Sequence, residues 1–424
     1  MGKQSSALFL IALSILLGNV VSSPALADTI GELRDQISER SKAIADLEKE
    51  IATYQVELDT VGKESKTLQG AIRNIDLQQR KLSAEIKVTE NKIARVTLTI
   101  EGLTDDIADK EVHIKNNRGA MAETIRAMNE KESESLIEAL LSGQPLSTLW
   151  QQLDQLERFQ VSVKADLSET TELKTGLEET RKKNEESRLQ LLNLKGQLSD
   201  QTQLLAQNKK AKNTLLTSTK SKESEYKRLL AKKVALRNAF EQELLEFESR
   251  LRLEIDPTSL PKTGSGVLKW PVDAVKVTQE FGDTAFARSG AYNGRGHNGI
   301  DLRANTGTRI KASLNGKVAG IGNTDAVCPG ASYGKWVLIE HENGLTTLYA
   351  HLSLIKVETG QQVQTGEVIG YGGETGYATG PHLHFTVYAT QGVKILQRKS
   401  AVCGGTYTMP IADLKAYLNP LSYL

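Results

Sequence analysis

Histidine is scarce in this chain, at six of 424 residues, and cysteine scarcer, at two. There are nine prolines, and aromatic residues make up only 5%. Each shortage narrows the reading. Neither cysteine lies in a Cys-x-x-Cys spacing, which leaves a redox motif without support. A formal net charge of +1 lacks the basic excess of a nucleic-acid binder. The low aromatic content suits a chain that is largely polar, elongated helix. No proline falls between Ile30 and Ile114, so nothing of that kind interrupts a helix there. No His-Glu-x-x-His motif occurs, so the helix-borne glutamate base of many zinc hydrolases is missing. Only one long apolar run exists, from Ala7 to Val21.

That run follows Lys3 and precedes Pro24-Ala25-Leu26-Ala27, an Ala-x-Ala ending. It falls short of the roughly 20 residues a membrane span needs, so residues 1–27 read as a signal peptide. A retained anchor is the alternative. No cysteine follows the cleavage site, which argues against a lipoprotein. The mature chain is expected outside the cytoplasm, secreted into the envelope or periplasm. There, Cys328 and Cys403 are expected to form a disulfide rather than stay as two free thiols. Closing a loop of about 75 residues stabilises by about 4 kcal/mol in the chain-entropy view.

At 424 residues the chain is too long for one ordinary core, so two or more domains are expected. Residues 28–255 read as a coiled-coil arm. From Ile30 through Leu58, Val61, Leu68 and Leu82 to Ile114, apolar residues recur at alternating three- and four-residue spacing. The spacing predicts one helix of about 110 residues, about 165 Å long. A break is predicted near residues 142–148, at Ser142-Gly143-Gln144-Pro145, with Ser147 capping a second helix. A second periodic stretch runs from Leu149 to Leu251. Two such helices predict an antiparallel coiled-coil hairpin, with a kinked parallel dimer as the alternative. Leu136, Ile137, Leu140, Leu141, Leu146, Leu149 and Trp150 around the break suit a small helical cap or a docking surface. His113 reads as a solvated helix residue. Residues 256–266, with Pro257, Pro261, Gly264 and Gly266, form a linker by composition.

From residue 267 to 424 the pattern changes to short β-rich runs between glycine turns, which predicts a mainly antiparallel β domain. Four of the six histidines lie here in strand-like or turn-like settings: His297, His351, His382 and His384. In a strand, His382 and His384 would share one face. Neutral imidazoles with a carboxylate such as Asp301 suit Zn²⁺. His341 reads as a turn residue near a strand end.

Several ordered motifs carry a resemblance. Trp270-Pro271-Val272, Thr278-Gln279-Glu280-Phe281-Gly282, His297-x-Gly-x-Asp301, Tyr349-Ala350-His351-Leu352 and Thr379-Gly380-Pro381-His382-Leu383-His384-Phe385 are similar to those of the M23 (LytM or lysostaphin-type) metallopeptidases. The resemblance spans about residues 267–390. It implies a zinc enzyme that cuts peptide bonds of peptidoglycan, with His297, Asp301 and His384 as zinc ligands and His351 and His382 as catalytic residues. Which of the two histidines is the base stays open. Leader, coiled coil and head together resemble the EnvC and PcsB class of division-associated murein hydrolases and activators. That class implies an FtsEX-type membrane complex as partner of the arm. Many EnvC-like activators have lost the metal residues, and this chain keeps them all, which favours an enzyme over a non-enzymatic activator. A third reading makes the arm a spacer and the head a wall-binding module. Asn293, Tyr371, Tyr377 and Thr379 lie close to the motifs and are candidates to line the substrate groove. The longer turn at Asp325–Ser332 and the extension from Gln391 to Leu424 depart from the family pattern.

Overall fold

The computed structural model describes residues 24–61, 67–131, 146–250, 255, 258, 260–264, 266–288, 296–378 and 380–424. The expected leader run, the expected break near 142–148 up to residue 145, and the candidates Asn293 and Thr379 lie outside the described residues. The chain divides into two compact units. One takes residues up to Lys42 and Asn91–Leu192, the other Ala43–Glu90 and Asn193–Leu424.

Long helices make up the N-terminal part: α1 (Pro24–Val61), α2 (Leu68–Lys131), α3 (Leu146–Thr219) and α4 (Glu223–Arg250). In the first unit Asn184 Nδ2 donates to Thr104 Oγ1 at 3.1 Å, and Arg181 pairs with Glu111 at 2.6 Å. In the second, Thr89 Oγ1 donates to Gln201 Oε1 at 2.8 Å and Lys212 meets Asp76. Rising numbers on α2 meet falling numbers on α3, so the two run antiparallel, as a hairpin requires. Among the described residues no helix is long and apolar enough to cross a membrane.

The predicted single helix of about 110 residues is two helices. α1 ends at Val61, whose successor in sequence is Gly62, and Thr67 Oγ1 caps the start of α2 by accepting from Gly70 N–H at 3.0 Å. α1 then lies back along α2: Leu58 packs on Leu77 and Lys81 Nζ donates to Gln55 Oε1 at 2.9 Å. Periodicity hid the break, because Val61 and Leu68 stand one heptad apart and the apolar register carries through the connection.

The C-terminal part is antiparallel β. Its main sheet holds β1 (Val277–Gln279), β2 (Ile300–Arg303), β4 (Gly316–Asn323), β5 (Lys335–Glu340), β6 (Leu345–Ala350), β8 (Gln362–Val363), β10 (His382–Ala389) and β13 (Tyr417–Leu418). The order is β1-β2-β10-β6-β5-β4-β8, with β13 paired to β10. β3 (Arg309–Lys311), β9 (Val368–Gly372) and β7 (Leu352–Ile355) form a three-stranded sheet, and β11 (Val393–Lys399) pairs with β12 (Thr406–Ala412).

Two apolar cores flank the main sheet, and the strand period of two sorts residues between them. Ile300, Leu302, Val337, Ile339, Tyr349, Leu383, Phe385 and Val387 join one core. Trp336, Leu338, Leu348, Ala350 and Tyr388 join the other. Phe240 of α4 belongs to that second core, with Leu236, Leu244 and Ile255 packed against it. The packing of the head therefore reaches back across residues 256–266. Cys328 and Cys403 are joined as a disulfide, with Cα atoms 5.9 Å apart.

Candidate active site

β2 and β10 pair in register, Asp301 opposite His384 and Arg303 opposite His382. Since Ile300, Leu302, Leu383 and Phe385 point into the first core, Asp301, His382 and His384 point to the opposite face. This is the face that α4 covers. Gly299 lets the chain pass close to β10: a Cβ there would meet Phe385 O at 2.6 Å and His384 Cε1 at 2.9 Å.

His297, Asp301 and His384 form one group able to hold a metal ion. His297 Nε2 is 3.1 Å from His384 Nδ1 and 3.3 Å from Asp301 Oδ1, and His384 Nδ1 is 3.0 Å from Asp301 Oδ1. Donor roles follow from the partners. His297 Nδ1 lies 3.0 Å from the Glu280 carbonyl, which can only accept, so Nδ1 carries the proton and Nε2 the lone pair. His384 Nε2 faces Thr386 Oγ1 at 2.9 Å, which leaves Nδ1 toward the group. Two imidazole lone pairs and a carboxylate thus converge within hydrogen-bond distance, an arrangement a shared cation satisfies. Burial works against ionisation of Asp301, but the neighbouring His382, His297 and His384 rings outweigh it. Its carboxyl is held well below the usual range. Burial lowers His384 below the ordinary histidine value.

His351 and His382 stand beside this group. Their ring centroids are 4.7 Å apart, and His382 Nε2 is 3.7 Å from Asp301 Oδ1. His351 Nδ1 donates to the Thr375 carbonyl at 2.8 Å and His382 Nδ1 to the Gly380 carbonyl at 2.8 Å. Each ring is thereby fixed with Nε2 as its second nitrogen. Burial holds His351 well below the ordinary value, so it stays neutral. Its backbone is left-handed, φ 61°, a conformation that non-glycine residues adopt at a cost. The His351 N–H donates to the Tyr333 carbonyl at 2.9 Å, which helps hold it there.

All five residues line one cavity of about 340 Å³. Tyr377, proposed from sequence for the substrate groove, lines it too. Tyr371 does not. It is buried under the arm, its hydroxyl donating to Asp200 Oδ2 of α3 at 3.0 Å beside Leu82 and Leu204. The groove placement for Tyr371 is corrected accordingly: its side of β9 carries it to the helices. His341 is also structural, its Nδ1 3.0 Å from the Asn315 carbonyl and its Nε2 2.8 Å from Thr347 Oγ1.

Sequence reasoning missed the rest of the lining. Phe240, Glu241, Leu244, Leu245 and Glu248 of α4 face the cavity as one helical stripe. Tyr333 stacks on His384, centroids 6.1 Å apart, and its hydroxyl is 3.3 Å from that of Tyr388. Gln279, Ser332 and Tyr417 are also in the walls. The only sequence signal for the α4 stripe was its three-four spacing, which is equally that of a coiled-coil seam.

Residues 295–396 match Peptidase family M23. The C-terminal domain is an M23 peptidase domain. All five site residues fall inside the matched span. The DD-carboxypeptidase/endopeptidase Mpg of Neisseria meningitidis is 46% identical over 89 residues, 21% of this chain and 19% of that protein. The cell division protein DipM of Caulobacter vibrioides is 33% identical over 132 residues, 31% of this chain and 20% of that protein. The chain thus spans about a fifth of the length of these curated relatives. Among solved structures, the catalytic domain of the prophage-encoded M23 protein EnpA from Enterococcus faecalis is 28% identical. It covers 31% of this chain and 88% of that one, with a TM-score of 0.24.

Proposed function

We propose that this chain is a zinc-dependent endopeptidase that cleaves peptide bonds in peptidoglycan stem peptides or cross-bridges during wall remodelling or division. One observation carries the reading: three metal-ligand atoms and two further histidines converge in one cavity of an M23 domain. Zinc fits the group. Ligand atoms at about 2.1 Å from one tetrahedral centre lie roughly 3.4 Å from each other, and these lie 3.0–3.3 Å apart. His297 Nε2, Asp301 Oδ1 and His384 Nδ1 would hold the ion. When bound, it supplies Lewis acidity toward the scissile carbonyl and makes water acidic near neutral pH.

The chain's own residues handle the protons. His351 and His382 each present an Nε2 opposite an Nδ1 fixed by a backbone carbonyl. One Nε2 accepts the proton of the attacking water. The other, once protonated, gives a proton to the leaving amine or donates to the carbonyl oxygen. Tyr377 serves as a groove residue. Asn293 and Thr379 are proposed for the same role from their place beside the motifs. The likeness to Mpg, by name a DD-carboxypeptidase/endopeptidase, and to the cell division protein DipM supports a peptide as substrate and a link to division.

The α4 stripe supports a second element of the proposal. Phe240, Leu244 and Glu248 occupy the face of the sheet from which a substrate would reach the histidines, so α4 restrains the enzyme. A membrane partner bound to the helical arm, of the FtsEX type, would draw α4 away. The test is digestion of purified muropeptides by the zinc-loaded full chain, with products identified by mass. Cleavage at one class of peptide bond, lost in His382→Ala, is expected. A chain that binds zinc, has α4 loosened by substitution and still cuts nothing would instead be an activator of another hydrolase.

A further inference from the structure

Two polar groups in the cavity wall have no role in the chemistry above. Gln279 lines the cavity, and its Nε2 is buried with no hydrogen-bond partner among the described residues. Ser332 lines it as well, and its Oγ is likewise buried and unpartnered. A buried donor without an acceptor costs about 1–3 kcal/mol, so native folds rarely keep one without use. Here two occur in the same cavity.

Their positions relate them to the histidine group. Gln279 ends β1 and sits directly across the β1–β2 ladder from Asp301. Ser332 precedes Tyr333, whose carbonyl holds His351 and whose ring stacks on His384. One donor therefore belongs to the Asp301 side of the centre and the other to the His351 side. Ser332 is also held with φ at 45°, a left-handed backbone costly for serine. Its loop is pinned: the Ser332 carbonyl accepts from Tyr377 N–H at 2.8 Å. A Cβ on Gly334 would come within 2.4 Å of Gly376 N, so the two loops touch backbone to backbone. The fold thus spends strain to hold a hydroxyl that has no partner among the described residues.

We infer that Gln279 and Ser332 are substrate-positioning residues that donate hydrogen bonds to main-chain carbonyls of the peptide on either side of the bond the histidines address. An extended peptide presents its carbonyls in alternating directions every ~3.3 Å, so one donor near Asp301 and one near His351 can fix it without reading its side chains. The ligand class is a peptide backbone rather than a glycan. This rests on the peptidase reading and deepens it.

The test compares Gln279→Met and Ser332→Gly with wild type in the full chain. Both remove the donor and neither leaves an unsatisfied group. The glycine also relieves the left-handed strain. Thermal stability should therefore hold or rise in both variants, as a purely structural role would not allow. The metal-free chain, which leaves peptides uncut, is titrated with muropeptides bearing intact stem peptides and with the peptide-free disaccharide. Each variant should bind the muropeptide about three- to ten-fold more weakly, the net worth of one neutral hydrogen bond, and the disaccharide should not bind. In the zinc-loaded chain KM should rise more than kcat falls. Unchanged muropeptide affinity in both variants, lowered stability, or no muropeptide binding by wild type would each overturn the inference. The peptidase reading stands or falls separately, on cleavage by the zinc-loaded wild type.

Discussion

Glu248 of α4 accepts a hydrogen bond from the Tyr417 hydroxyl at 2.6 Å, on the face of the sheet that carries the histidines. The carboxylate is 4% exposed, and burial raises its pKa from 4.5 to about 7, against lowering by Tyr417, the Ala412 backbone and the Arg398 charge. The folded value lies above the unfolded one, so the folded state binds the extra proton. The cost of an ionised Glu248 is absent below pH 4.5, grows between 4.5 and about 7, and is complete above that. It is on the order of 3 kcal/mol. Glu248→Gln should remove this pH-dependent part of stability. Melting curves from pH 5 to 8 should show the wild type losing more stability than the variant as pH rises. Parallel losses would show that Glu248 ionises freely.

The ligand group predicts one zinc per chain. Zinc should raise the melting temperature in a concentration-dependent way, since only the folded chain assembles His297, Asp301 and His384. His297→Ala should lose both the bound metal and that rise. Stoichiometric zinc retained in a variant lacking all three side chains would remove the assignment.

His351 and His382 lie beside the group, each tied to a backbone carbonyl through Nδ1. Alanine at either should leave zinc binding intact and lower kcat by about 10²–10⁴, the usual worth of a positioned acid or base. A folded variant that keeps near wild-type turnover would strip that histidine of its role.

The site was legible because its signals are local. Histidines two apart on β10 share a face by strand geometry alone, and Asp301 lies four residues from His297. What lay hidden depends on which face meets what. Tyr371 stands near the motifs in sequence, but β9 turns it toward α3, and no residue-level pattern states that direction. Phe240 and Leu244 carry helical spacing that suits a helix partner or a sheet equally, and here the partner is the second core of the head. The connection at Gly62–Thr67 kept the heptad phase, so periodicity alone could not separate α1 from α2.

The disulfide links the turn that carries Tyr333 to the β11–β12 hairpin. Reduction should cost about 4 kcal/mol by loop-closure entropy for a loop of this length. It should also loosen the wall that holds His351. Thermal unfolding with and without reductant measures the first effect and turnover the second. A reduced chain of unchanged stability would mean the bridge adds nothing to the fold.

Restraint by α4 makes the last prediction. Glu243 binds three donors on the head at once: Arg398 Nη2 at 2.7 Å, Ser400 Oγ at 2.9 Å and the Ala401 N–H. Arg398 also lies over the rings of Phe247 and Tyr407, 5.5 and 5.7 Å from their centroids. On the same helix, Phe240 and Leu244, three residues before and one after Glu243, pack into the core that holds Tyr333 and Trp336. Removing residues up to 266 to free the cleft would strip that core of Leu236, Phe240 and Leu244, so point substitution in the full chain is the cleaner test. Glu243→Ala removes charge-assisted hydrogen bonds, worth about 1.5–3 kcal/mol, and leaves the apolar plug in place. If α4 must leave before substrate enters, the open population and the rate of muropeptide release should rise by about ten-fold or more. Glu246→Ala, on an exposed position of the same helix, should change little. Equal rates for wild type and Glu243→Ala, at equal zinc loading, would make α4 a structural part of the head and remove its restraining role, while leaving the chemistry at His297, Asp301 and His384 untouched.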